Sequence, residues 1–98
     1  KEDGGQGSDP LTYLKCVEEL SKLCGTTGVI VSAHTSLCVD PIQTFGTPDQ
    51  KAKYLPDLAS GRKLGAFGLT EPGAGTDAQG QQTKAVLDGD EWVLNGSK

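Results

Sequence analysis

The chain has 98 residues, with 9 basic and 13 acidic side chains, a net charge of −4 and no basic run, so it offers no electrostatic footprint for nucleic acid or an anionic membrane. No apolar stretch approaches the ~20 residues of a membrane span, and the opening Lys1-Glu2-Asp3-Gly4-Gly5 lacks the apolar segment of a secretory signal, which predicts a soluble, intracellular protein. A chain this short buries a smaller share of its surface than larger domains do, so any core is modest.

Gly4-Gly5-Gln6-Gly7-Ser8 is expected to be flexible. Asp9-Pro10 then supplies a capping carboxylate before a proline suited to the first helical position, which predicts a helix start. Tyr13, Cys16, Val17, Leu20, Leu23 and Cys24 recur at three- and four-residue spacing, with Lys15, Glu18, Glu19 and Lys22 largely opposite. One face is expected to pack and the other to be solvated. Gly25 is a residue type that ends such helices.

Residues 28–39 are ambiguous by local rules. Val29-Ile30-Val31 favours a strand, whereas Ala33 and Leu37 at four-residue spacing allow a helix. Further on, Thr47-Pro48-Asp49-Gln50 combines a capping hydroxyl, a first-turn proline and a glutamine three residues beyond the cap. That predicts a helix from Pro48 to Leu55, stopped by Pro56.

From Leu64 the character changes. Ala66, Phe67 and Leu69 form a short apolar run closed by Pro72, Gly73, Gly75 and Gly80, which predicts a strand entering a loop. Thr83 to Leu87 and Glu91 to Leu94 flank Asp88-Gly89-Asp90 as a hairpin, and Asn95-Gly96 is a second turn. Helices first and strands second is the segregated order of an α+β fold. A lone strand and a hairpin with no further partner leave sheet edges open, which suggests a truncated chain.

Cys16, Cys24 and Cys38 are odd in number, have apolar neighbours and lack zinc-type pairing, so they are expected to be reduced and mostly buried thiols. His34 is the sole histidine. With no cysteine or serine marked as its nucleophilic partner, it is expected to serve structure, at a helix end or lining a pocket.

The stretch most suggestive of chemistry is Phe67, Gly68, Leu69, Thr70, Glu71, Pro72, Gly73, Ala74, Gly75 and Thr76, continuing through Asp77 to Gly80. Glycines remove side-chain bulk and expose backbone N–H groups, which can form an anion-binding concavity, and Thr70 and Thr76 add hydroxyls. By physics alone this is either a ligand loop or a connection that needs turns. Gly73, Gly75 and Ala78 also fit the dinucleotide pattern G-x-G-x-x-A. That fingerprint requires a helix opening at the loop, and Gln79-Gly80-Gln81-Gln82-Thr83 carries no apolar helical stripe.

Residues 68–80 resemble the signature of the acyl-CoA dehydrogenase family: small, aliphatic, Ser/Thr, Glu, two free positions, small, Gly, Ser/Thr, Asp, two free positions, small. Gly68, Leu69, Thr70 and Glu71 open it, Ala74, Gly75, Thr76 and Asp77 continue it, and Gly80 closes it. Gly4-Gly5-Gln6-Gly7, Glu18-Glu19-Leu20, Phe45-Gly46, Gln50-Lys51 and Leu94-Asn95-Gly96-Ser97-Lys98 are similar to family landmarks in the family's order, so the resemblance spans nearly the whole chain. Ser32-Ala33-His34-Thr35-Ser36-Leu37 is most similar to the short-chain, butyryl-CoA type.

The resemblance implies helices from the end of an N-terminal helical domain, residues 1–62, followed by the first strands of a β middle domain that binds FAD, residues 63–98. It implies a helix over residues 28–39, with Ile30, Val31 and His34 near the acyl-chain pocket. It makes residues 67–76 the first FAD-contacting segment, with Thr70 and nearby amides at the polar edge of the flavin and Thr76 also beside the acyl-CoA substrate. Glu71 and Asp77 are expected to brace the loop, because the family's catalytic base lies much further along, and Trp92 is expected to pack in the hairpin. The implied reaction takes an acyl-CoA to a trans-2-enoyl-CoA and passes electrons to electron-transferring flavoprotein. The full-length protein is expected to be a homo-oligomer of the cytoplasm or mitochondrial matrix, and these residues alone are expected to be inactive. A related flavin oxidase or monooxygenase, or a non-catalytic remnant, is the alternative.

Overall fold

A computed structural model describes residues 2–98, which divide into two compact units, one ending at Phe67 and the other running Gly68–Lys98. Within the first, helix α1 (Pro10–Leu23) starts where the sequence places it: Asp9 accepts the Thr12 N–H at 2.9 Å and Pro10 occupies the first turn. α1 ends one residue earlier than expected. Cys24 is extended at φ −152°, and Gly25 opens the next helix, α2 (Gly25–Ser32), instead of closing the first.

The ambiguity at residues 28–39 resolves as helix. α2 runs without a break into a π-helical segment, Ala33–Val39, and then α3 (Asp40–Phe45), with every junction residue in the right-handed helical region. The widened turn is closed by the Asp40 N–H on the Thr35 carbonyl, five residues back. Pro41 follows directly, and a proline there has no N–H to give and crowds the carbonyl four residues earlier; the wider spacing relieves both problems. Close helix approach favours this outcome too. Gly28 is buried against α1, where any Cβ would overlap Ser21 Oγ.

Helix α4 (Pro48–Ala59) carries a complete capping box: the Thr47 hydroxyl accepts the Gln50 N–H at 3.3 Å, and Gln50 Oε1 accepts the Thr47 N–H at 2.9 Å. Its expected stop at Pro56 does not occur. The proline interrupts the ladder but leaves Leu55 and Leu58 on the same face, 3% and 9% exposed, and burial of both offsets the lost bond. The helix closes at Ser60, whose N–H and hydroxyl both donate to the Pro56 carbonyl.

Apart from these leucines the helical unit is open. α1 has no fully buried residue: Tyr13 and Val17 of its apolar stripe are half-buried, whereas Cys16, Leu20, Leu23 and Cys24 stay exposed, so the stripe packs only in part. The cysteines are less buried than expected: Cys16 and Cys24 are exposed, and Cys38 is half-buried against Gly65, all three free. Among the described residues no helix is long and apolar enough to cross a membrane.

In the second unit, β1 (Lys84–Asp88) pairs antiparallel with β2 (Glu91–Asn95), from Lys84 against Asn95 to Asp88 against Glu91. The two-residue loop is Gly89-Asp90. Only Gly89, at φ +61°, adopts positive φ, the glycine-first arrangement of a type II′ turn, so the glycine acts one position earlier in the turn than the Asp-Gly signal suggests. Trp92 is 66% exposed: its cross-strand neighbour Leu87 cannot cover it alone and no second layer lies over the hairpin within the unit. The expected strand at residues 64–69 is likewise absent, since its backbone groups find no ladder partner among the described residues.

Candidate functional site

The loop that follows Phe67 is built around one tight turn. Glu71 and Ala74 exchange both backbone hydrogen bonds, at 3.0 and 3.1 Å, with Pro72 and Gly73 at the tip. Both closing residues are buried, Ala74 at 2% and Glu71 at 9% exposed. The carboxylate of Glu71 is the anchor. Its Oε2 accepts the Gln82 N–H at 2.6 Å, its Oε1 accepts the Thr83 N–H at 3.1 Å, and Lys98 Nζ lies 3.0 Å from Oε1. The Gln82 N–H is the largest cause, with Thr83 and Lys98 adding, of a Glu71 pKa held down to about 2 against the opposing pull of burial.

Lys98 reaches further into the loop. The same ammonium donates to the Leu69 carbonyl at 2.9 Å and to Gln81 Oε1 at 2.7 Å. Glu71 therefore braces the loop, the role the family resemblance implies for it, whereas Asp77 contributes through its backbone carbonyl, which accepts the Gly80 N–H at 3.1 Å. Ala78–Gly80 forms a single 3₁₀ turn, not the helix that a dinucleotide fingerprint would open. Thr83 Oγ1 is buried without a hydrogen-bond partner, packed where Gly96 leaves room for it.

Everything else in the loop faces outward. Gly68, Leu69, Thr70, Pro72, Gly73, Gly75 and Thr76 are exposed, and so is Phe67 at the end of the first unit. Among the described residues the N–H groups of Thr70, Gly73, Gly75 and Thr76 make no backbone hydrogen bond. Gly73 and Gly75 carry no positive φ, and a Cβ at either meets nothing within 4 Å. Turn geometry and internal packing thus leave glycine unexplained at both positions. What it provides is a bare, exposed backbone with free donors beside two threonine hydroxyls.

His34 holds a different place from the one expected of a catalytic group. Its Nδ1 accepts the Gly65 N–H at 2.9 Å and its Nε2 faces the Leu58 carbonyl at 3.2 Å, so Nε2 carries the proton and both nitrogens are engaged within the helical unit. It braces the chain leaving α4.

Residues 1–62 match the family described as acyl-CoA dehydrogenase, N-terminal domain. The chain belongs to the acyl-CoA dehydrogenase family. A short-chain-specific acyl-CoA dehydrogenase from Clostridium acetobutylicum is 65% identical over all 98 residues, which make up 26% of that relative. The butyryl-CoA dehydrogenase structure from Megasphaera elsdenii superposes with a TM-score of 0.89 at 52% identity, covering 97% of this chain and 26% of that one. An acyl-CoA dehydrogenase complexed with FAD from Bacillus anthracis gives 0.88 at 43% identity, over 97% of this chain and 16% of that one. The chain spans about a quarter of the length of the curated relatives it matches. Helices followed by strands correspond to the family's N-terminal helical domain and the start of its middle domain.

Sequence reasoning did not single out Lys98, which clamps the loop. The only signal is a single lysine after the Asn95-Gly96 turn, far along the chain from the residues it holds.

Proposed function

We propose that this chain is the flavin-contacting part of an acyl-CoA dehydrogenase that converts short-chain acyl-CoA thioesters to trans-2-enoyl-CoA, with residues 67–76 as the first segment against FAD. The observation that carries this reading is the pair of glycines, Gly73 and Gly75, that neither strain nor packing within the chain requires, on a loop pinned from behind by Glu71. A turn that merely joined strands would need no such opening. The Bacillus anthracis neighbour complexed with FAD and the short-chain relative support the cofactor and the substrate class.

The residues present fit an isoalloxazine rim: exposed Thr70 and free amides offer donors to its polar edge, and the exposed Thr76 hydroxyl is free to meet the acyl-CoA. FAD, when bound, accepts the hydride that leaves the acyl β-carbon. Fixed amides facing the flavin stabilise negative charge without reorganising, because the bonds that orient them lie inside the loop. Removing the α-proton needs a positioned base, and Glu71, held ionised by its own donors, is spent on structure. The base therefore comes from elsewhere in the complete protein, and these 98 residues alone do not turn over substrate. Residues 1–62 belong to the helical domain and 63–98 to the middle domain. Electron-transferring flavoprotein is the acceptor, and the full-length protein works as a homo-oligomer.

Gly75→Val in the complete protein tests the reading. A Cβ there meets no atom of the chain, so thermal stability should stay near wild type, while FAD affinity should fall by at least about tenfold, ~1.4 kcal/mol. A Gly75→Val protein that binds FAD as tightly as wild type sinks the proposal.

A further inference from the structure

We infer that Glu71 and Lys98 form a charge-matched positioning pair for the flavin loop, in which the lysine both fixes the backbone around Thr70 and cancels the carboxylate buried behind it. This rests on the flavin reading above and adds to it a residue, Lys98, and an electrostatic role.

The geometry is specific. Lys98 Nζ bonds the Leu69 carbonyl and pairs with Glu71, the residues immediately before and after Thr70, so one ammonium holds both sides of that donor. Glu71 is the single buried charged residue among those described, its side chain 6% exposed, and the Lys98 side chain is itself only 28% exposed. Asp77, the other acid of the loop, is exposed and screened by water. A buried charge acts through a lower dielectric than an exposed one, so of the loop's two acids Glu71 is felt more strongly by a group seated on the loop. The pair presents nearly zero net charge as long as both members are present.

Breaking the pair from either side has opposite consequences. Lys98→Gln leaves the carboxylate ionised by the Gln82 and Thr83 N–H groups, an anion that opposes the negative charge of reduced flavin. Glu71→Gln leaves an uncompensated ammonium that favours it. A brace with no electrostatic role predicts no such reversal.

The experiment is a spectroelectrochemical titration of flavin in the FAD-loaded full-length protein, with FAD affinity measured alongside. The midpoint potential should fall in Lys98→Gln, rise in Glu71→Gln, and stay near wild type in Lys98→Arg and in the double variant Glu71→Gln/Lys98→Gln, which is neutral. FAD should bind more weakly in both single variants. Single variants that shift in the same direction, or not at all, overturn the inference. If a single variant does not accumulate as folded protein, the double variant decides, because it has lost every bond of the pair but carries no lone charge: a potential close to wild type supports the pair's charge balance, and a displaced one refutes it. A wild-type protein that takes up no FAD overturns the functional reading and this inference together, whereas normal FAD uptake without opposed shifts overturns the inference alone.

Discussion

Glu71 shows how one side chain ties a loop to the acidity of its surroundings. Its folded pKa of about 2 lies below the ordinary 4.5, so the unfolded chain binds the proton more readily and folding is favoured as pH rises. The contribution is complete above about pH 4.5 and is lost as pH falls from there through about 2. Asp57, held down by Lys63 and Arg62, and Asp9, held down by the Thr12 N–H, act in the same direction from the helical unit. Thermal melts of the chain between pH 6 and pH 2, followed through Trp92, the sole tryptophan and a hairpin residue, should show a falling midpoint in wild type. Glu71→Gln should start lower at pH 6 and fall less steeply, with the two curves converging toward pH 2. Parallel curves would show that the carboxylate does not contribute to hairpin stability.

At the scale of elements, the starts of α1 and α4 were legible, whereas the start of α2 at Gly25 and the ends of α1 and α4 were not. Asp9-Pro10 and Thr47-Pro48 place a cap and a first-turn proline within a few residues, and both helices begin there. Such signals are local, as is the glycine turn of the hairpin. By contrast, α4 passes Pro56 because Leu55 and Leu58 gain burial, and residues 64–69 form no strand because none pairs with them; both outcomes depend on distant neighbours that propensity cannot register. Residues 28–39 stood between, with a β-branched run that helical continuity overrides through a π turn. Two substitutions separate local from packed contributions in α4. Thr47→Ala removes the hydroxyl of the capping box and should cost about 1 kcal/mol. Leu55→Ala, at a site 3% exposed, should cost about 2 kcal/mol or more. Urea unfolding with an unchanged slope reads both, and a cap variant costlier than the leucine variant would mean that α4 is held by its start more than by its buried face.

For the molecule as a whole, the glycine-rich loop stands out in the sequence because its pattern is written in consecutive residues, while the apolar faces that sequence patterning assigned to a core are mostly uncovered. Leu23 is 92% exposed, Phe45 84%, Leu64 72%, Leu94 71% and Trp92 66%. Scattered single apolar residues are ordinary on a protein surface, but large contiguous ones mark contact sites. Pro41, Ile42, Phe45 and Tyr54 gather along one groove of about 340 Å³ between α3 and α4 in the helical unit. The 98 residues on their own should therefore bind an environment-sensitive apolar dye and self-associate as concentration rises, with no dehydrogenation of butyryl-CoA detectable with an artificial electron acceptor. Phe45→Ser should lower both dye binding and association, since it removes the most exposed side chain of that groove without touching Leu55 or Leu58. Sedimentation across a concentration series checks this directly: a chain that stays monomeric, leaves the dye dark and oxidises butyryl-CoA would show that the exposed faces need no cover and that the base has been sought in the wrong part of the protein.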